Sequence, residues 1–424
     1  MFTAVSRAYK PIALFLLLLA LILSGCAQSA PTPTPQPTMP PTPTPAPTPA
    51  PVVIGPTVNL TDGCADRYEP DVDYFPEKVT LRYAEGFTVE YHENYKVVTV
   101  TRPWRNADTT FRYVLVQCGT PAPTGYEDAQ VIQVPVKRIV TLSTTHLPAL
   151  SKLGLLDRLV GVGNFKYINS LDVRALIDAG FLEEVGSGAK VDVEKVVALD
   201  PDLVLTFGIG NPERDAHPKL LEAGLKVAIN AEYMEGTPLG RSEWIKFIAL
   251  FFNKEKDAER IFDGIVRRYQ AIRSVGEKVE ERPTVFAGYM YKGTWYMPGG
   301  KSYVAQFLRD AGATYLWAED ETAGSIPLDF EAVYERAADA DFWVNVGRAK
   351  SLKDLAEADE RYTQFKAFQE GNVYNNNKRL NKWGGNDYWE SGLANPDIVL
   401  ADLVSIFHPD LLPQHDRVYY QQLK

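Results

Sequence analysis

The 424-residue chain carries 44 Lys and Arg against 54 Asp and Glu, a formal charge of −10, and 45% of it is hydrophobic. No basic segment is strong enough to neutralise phosphates, which speaks against a nucleic-acid partner. The composition is that of an ordinary globular protein, and the stretch after Gly55 is long enough for two or three domains with their own cores.

Residues 1–25 read as a secretion signal. Arg7 and Lys10 form the positive region, and Ile12 to Leu23 is wholly apolar but too short to span a bilayer as a stable helix. The stretch ends in Leu23-Ser24-Gly25-Cys26, which resembles the bacterial lipobox. That resemblance implies cleavage before Cys26 and a diacylglycerol on its thiol. Losing Arg7 and Lys10 would carry the charge from −10 to −12. Residues 26–56 would then be the lipidated cysteine and a tether. Pro31 to Pro51 alternates proline with Thr, Ala, Gln and Met. Such a stretch favours polyproline II at about 3.1 Å per residue, a reach of roughly 65 Å. A lipid followed by a spacer suits an extracytoplasmic body held at a membrane surface without crossing it.

Residues 57–135 read as a β-rich extension. Phe87 to Tyr91 alternates, and Tyr95 to Thr101 and Thr110 to Gln117 are strand-rich runs flanking the turn-like Trp104 to Asp108. Cys64 and Cys118 are the cysteines left besides Cys26, and in an exported chain such a pair is best read as one disulfide, here closing a hairpin. A metal site from two cysteines needs histidines nearby, and only His92 lies between them.

From residue 136 the pattern becomes α/β. Arg138 to Leu142, Leu159 to Val162, Leu203 to Phe207 and Lys226 to Ile229 read as buried strands, separated by helical runs such as Leu147 to Leu156. Strands alternating with helices imply a parallel sheet, here in an N-terminal lobe spanning 136–240. Residues 241–282 read as one long linking helix, with Gly264 its weak point. A second lobe fills 283–424, with strands Thr284 to Tyr289 and Phe342 to Val346 and helices Ser302 to Ala311 and Asn395 to Ser405.

One pattern occurs in both lobes. Val191-Asp192-Val193-Glu194 opens VDVEKVVALDPDLVLTFG, and Leu328-Asp329-Phe330-Glu331 opens LDFEAVYERAADADFWVNVG. Asp192 and Asp329 are N-cap residues in this reading, since a short carboxylate accepts the free N–H groups of a first turn. Glu194 and Glu331 then stand beside the apolar stripe, in water. One such glutamate alone would be read as complementing the helix dipole. Two in register suggest matched corners of a two-lobed protein that meets a two-fold partner.

This order of elements resembles the substrate-binding proteins of bacterial ABC importers for ferric siderophores, haem and cobalamin. The likeness covers roughly residues 136–410 and rests on RIVTLS, DVEKVVALDPDLVL, TPLGRSEWIKF and PGGKSYVAQFLRDAGA, the second being the most specific. The resemblance implies an α/β fold of two parallel-sheet lobes joined by a single long helix, with a ligand cleft between them. It implies a monomer that hands its ligand to a permease dimer with ATPase subunits, and it carries permease docking onto Glu194 and Glu331. The extension lies outside it.

Ligands of open α/β sheets bind beyond the carboxyl ends of the strands. Those ends gather aromatic and cationic residues: His146, Lys166, Tyr167, Arg214, Tyr233, Tyr289, Trp295, Tyr296, Lys301 and Arg348, with Trp389 in a glycine-rich loop read as lying over the cleft. Aromatic walls with a few cations suit a large, flat or anionic chelate; the resemblance implies an Fe(III) chelate as ligand and no resident cofactor. With five histidines, none besides His146 at a strand end, direct metal ligation is not expected.

Enzyme motifs are broken. Gly300-Lys301-Ser302 is similar to the end of a phosphate loop, but position 295 is Trp where that loop needs glycine. Gly161-x-Gly163 continues as Asn164-Phe165-Lys166, not as a dinucleotide fingerprint, and no G-x-S-x-G elbow occurs. The expectation is a receptor that does no chemistry, for a ferric siderophore first and for haem or cobalamin as alternatives. A surface sensor or adhesion protein on the same fold is the reading of a different class.

Overall fold

The computed structural model describes residues 55–424. The signal peptide, Cys26 and nearly all of the tether lie outside the described residues. Among the described residues no helix is long and apolar enough to cross a membrane.

The extension forms a four-stranded sheet of β1 (Phe87–Tyr91), β2 (Tyr95–Val100), β3 (Phe111–Gln117) and β4 (Gln130–Val134). The first three pair antiparallel and β4 runs parallel to β3. Residues 57–86 contain no strand, so the expected all-β reading fails there. That segment gives its backbone N–H groups to carboxylates instead. Arg82, Tyr83 and Ala84 donate to Glu243 at 2.7–3.1 Å, and Glu85 and Gly86 donate to Glu235 at 3.0 and 2.8 Å. A disulfide joins Cys64 in this segment to Cys118 at the end of β3.

The first lobe is a parallel sheet of β5 (Ile139–Thr141), β6 (Leu159–Val162), β7 (Glu183–Glu184), β8 (Leu203–Thr206) and β9 (Val227–Ile229), in the order β7-β6-β5-β8-β9. Its edge strand β9 is covered by the extension. The Gln130 side-chain amide bonds both backbone groups of Val227, at 2.7 and 2.8 Å, and Tyr113 Oη accepts the N–H of Ile229 at 2.8 Å. Side chains thus satisfy an edge that would otherwise invite pairing with another chain. One apolar core runs through the extension, this sheet and the start of the linker, from Phe75 and Tyr113 to Leu150, Phe247 and Phe262.

The second lobe holds β10 (Thr284–Ala287), β11 (Met290–Tyr291), β12 (Thr294–Pro298), β13 (Thr314–Tyr315), β14 (Ser325–Leu328), β15 (Phe342–Val344), β16 (Val373–Asn375) and β17 (Gln421–Gln422). Its main sheet runs β13-β10-β15-β16-β17, parallel except for β17, and β11-β12-β14 form a small antiparallel sheet beside it.

The linker departs from the single helix expected over 241–282. Short helices Pro238–Glu243 and Ile245–Leu250 precede the long one, Glu255–Glu277. The break falls at Asn253, whose φ is 55°, and not at Gly264. Asparagine tolerates this left-handed backbone. The broken turn is a docking point. Asn253 Nδ2 donates to Leu60 O and Gln117 Oε1 at 2.7 and 2.9 Å, and its Oδ1 accepts from the buried ammonium of Lys96 at 2.8 Å. Lys96 also donates to Glu255 at 2.6 Å. A buried lysine needs such partners, because desolvation alone pushes its charged form down.

Candidate ligand cleft

The carboxyl ends of β5, β6, β10, β15 and β16 converge on a cavity of about 1040 Å³ between the two lobes. The first lobe contributes small polar groups, among them Ser143, Thr144, Asn164 and Ser187, and one aromatic, Tyr167. The second contributes Tyr289, Tyr291, Tyr296, Asn345, Arg348 and Lys350. Among the described residues no carboxylate, imidazole or thiol lines the cavity, although the chain as a whole is acidic. Arg348 and Lys350 therefore give this space a positive character.

Local structure explains the placement. In β12 alternate residues point to opposite faces. Tyr296 is half exposed into the cleft, while Trp295 is fully buried and its Nε1 donates to Ala287 O at 2.9 Å. Gly347 has φ +71°, and a Cβ there would sit 2.3 Å from the Tyr289 ring, so the absent side chain lets that tyrosine lie over the loop leaving β15.

The glycine-rich loop does cross the cleft. Asn381 Nδ2 donates to Lys166 O and Ile168 O at 2.9 and 3.1 Å, and the Glu390 carboxylate accepts the N–H groups of Asn169 and Ser170 at 2.6 and 2.8 Å. The Arg174 guanidinium lies 4.4 Å over Trp383. These ties hold a strap of the second lobe on the first, with Trp383 and Trp389 facing the cavity.

Of the eleven ligand residues expected from sequence, the cleft gathers Tyr167, Tyr289, Tyr296, Arg348 and Trp389. The other six lie elsewhere. His146 is wholly buried, bonds Thr141 Oγ1 through Nδ1 at 2.5 Å, and is pushed down to about 3 by burial, so it stays neutral inside the lobe. Lys166 folds over Tyr167, with Nζ 4.9 Å from the ring centroid and outside the lining. Lys301 pairs with Glu321. Arg214 is exposed and is not part of the lining. Tyr233 turns its hydroxyl to Gly208 O at 2.7 Å. Trp295 stacks in the core with Phe286 and Trp343. Sequence reasoning missed Lys350 and Tyr303. Lys350 follows Arg348 by two residues and belongs to the same strand-end rule, carried slightly further.

The duplicated corners are alike in geometry. Asp192 accepts the N–H of Lys195 at 3.0 Å and Asp329 that of Ala332 at 2.8 Å, which leaves Glu194 and Glu331 exposed in matching first turns. They differ in one respect: Glu331 pairs with Arg361 at 3.1 Å. Among the described residues no group of three or more His, Cys, Asp or Glu is arranged to hold a metal ion.

Comparison with known proteins gives the architecture a context. Residues 139–380 match the periplasmic binding protein family. An uncharacterized lipoprotein of Methanocaldococcus jannaschii is 31% identical over 361 residues, covering 81% of this chain and 87% of its own. A possible iron-binding (periplasmic solute-binding) protein from Staphylococcus epidermidis superposes with a TM-score of 0.50 at 18% identity, over 65% of this chain and 99% of its own. CeuE of Helicobacter pylori with Ni(II) bound gives 0.51 at 20% identity, over 68% and 88%. At such identities the two structures speak for the fold alone. The residues matched by the family begin after the extension, whereas the lipoprotein's match, at 81% of the chain, reaches into it.

Proposed function

The chain belongs to the periplasmic binding protein family, and on that premise we propose that it captures a ferric siderophore in the inter-lobe cavity and delivers it to an ABC importer. The carrying observation is the lining: eight aromatic residues, Arg348 and Lys350, and, among the described residues, no carboxylate, imidazole or thiol of the kind that cages a bare divalent metal ion. A chelate brings its own donors to iron, so the protein needs only to recognise the chelate's shape and negative charge. Aromatic faces supply apolar contact to a rigid ligand, and the two cations offset its charge. The strap through Asn381 and Glu390 holds the lobes together over the bound complex.

Transfer rests on Glu194 and Glu331 as exposed carboxylates on the two lobes, meeting basic residues of a permease dimer. Arg361 would release Glu331 on docking. The lipobox-like sequence at Cys26 supports a lipid anchor, and the lipoprotein name of the archaeal relative points the same way. Haem is the second reading, because six tyrosines line the cavity and a tyrosine can serve as axial ligand to haem iron.

The test is affinity for a ferric trihydroxamate, a ferric catecholate, haem and cobalamin in the wild type and in Arg348→Ala. The reading expects one ferric chelate to bind at micromolar affinity or better and to lose about tenfold in the variant, the scale of one charge-assisted bond. Haem binding without chelate binding would transfer the proposal to haem.

A further inference from the structure

The role proposed for the cleft leaves two facts unexplained. The chain carries an extension that the family match does not include, and the residues at the ends of β8 and β9 do not reach the cavity. Both have one cause. The strand order places β8 beside β5. The loop that leaves β8 at Gly208 therefore stands next to the Ser143 wall, at the usual inter-strand spacing of roughly 4.8 Å. In an open sheet this sector would be free for ligand. Here Trp104 fills it, from the loop between β2 and β3.

The fit is built from both sides. A Cβ on Gly208 would lie 2.8 Å from the indole and one on Gly210 2.7 Å, so the indole seats on bare backbone. The His217 ring stacks on Trp104 at 5.6 Å and Phe111 closes it edge-on at 5.7 Å. Burial lowers the His217 pKa, which favours the uncharged imidazole in that stack. Tyr233 Oη donates to Gly208 O at 2.7 Å and fixes the loop beneath. The neighbouring Arg105 reaches the second lobe, where a Cβ on Gly324 would be 3.3 Å from its Nη1. The loop thus touches both lobes on the β8 side of β5, while the strap docks on the β6 side.

We propose that the loop 102–109 is a plug that limits the size of chelate the cleft admits, with Trp104 as its specificity-determining residue. The inference rests on the cleft being a chelate site. The extension is then part of the recognition apparatus: its sheet, its disulfide and its carboxylate clasps on the linker hold one indole in place beside the ligand.

The test compares the full chain with its Trp104→Ala form, titrated by fluorescence quenching with two anionic ferric tris-catecholates, one compact and one bearing a bulky substituent. The wild type is expected to prefer the compact chelate. In the variant the bulky chelate should gain about tenfold in relative affinity, the scale on which pocket fit discriminates. An unchanged ratio overturns the plug and leaves the chelate site standing. No binding of either chelate by either protein brings down the chelate site, and the plug with it. Should Trp104→Ala fail to fold, Trp104→Phe takes its place; a smaller shift in the same direction supports the plug, and an unchanged ratio overturns it.

Discussion

The two lobes share a parallel sheet, a capped helix with an exposed glutamate and a long connection to the same linker, yet they contribute to the cleft unequally. The first offers backbone, hydroxyls and one tyrosine, and the end of β8 is occupied by Trp104 of the extension. The second offers the cations, most of the aromatic residues and the strap. A shared plan of parallel strands and helices therefore does not mean equal chemistry. What decides the role of a strand end is whether another part of the chain already fills the space beyond it.

This comparison can be broken in several ways. The largest expected effect concerns the feature on which the lobes are equal. Reversing both charges, Glu194→Arg with Glu331→Arg, places like charges against the permease at a cost of several kcal/mol. Ligand uptake by cells should fall by on the order of a hundredfold or more while ligand affinity of the purified protein is unchanged. Lost affinity in the double variant would contradict the docking role.

Next in size is the asymmetry of charge. Arg348→Ala with Lys350→Ala should weaken binding of an anionic ferric chelate by about a hundredfold, taking each bond to a charged group at about 1.5 kcal/mol, the low end of its range. Isothermal titration reads this directly. Lys166→Ala, on the first lobe, should change it little, because that ammonium lies over Tyr167 and outside the lining.

The buttress of the first lobe is tested by Cys64→Ser. Opening the disulfide should cost about 2–4 kcal/mol of stability in chemical denaturation. An unchanged unfolding midpoint would show that the carboxylate clasps of Glu235 and Glu243 suffice alone. A smaller effect belongs to the strap. Asn381→Ala removes two hydrogen bonds to the first lobe, worth about 1 kcal/mol each, and should speed ligand release several-fold in stopped flow.

The smallest effect on binding concerns His146. Its folded pKa of about 3 lies below the ordinary value of 6.5. A depressed histidine contributes stability that is fully present above pH 6.5 and is lost as pH falls towards 3, because the unfolded chain takes up the proton first. His146→Asn should flatten the loss of stability between about pH 6 and 4 and leave chelate affinity at neutral pH as it was. A change in affinity would return this residue to the cleft.

Much of the architecture was legible because it is written in local signals. Asp192 and Asp329 as caps, the period of the apolar positions and the alternation of strands with helices all act within one element or between neighbours. The site was legible only in part, and the errors have physical causes. Trp295 and Tyr296 cannot both face the cleft from one strand, and the two-residue period of β12 already said so. Lys301 was lost to a nearby carboxylate, Glu321. The break at Asn253 and the loss of Tyr233 from the cleft were not legible, since both residues are bonded by the distant extension. Nothing near Trp104 in the sequence signals that Gly208 and Gly210 await it.

Binding of an anionic ferric chelate in the cavity is read most directly by tryptophan fluorescence of the full chain, titrated in parallel with a ferric siderophore, the same siderophore without iron, and free ferric and nickel ions. Trp383 and Trp389 face the cavity and act as reporters. The account predicts saturable quenching by the ferric complex at micromolar affinity or better, with no saturable response to the bare ions. Folded protein that responds to free metal, or to nothing in a panel extended to haem and cobalamin, would contradict it.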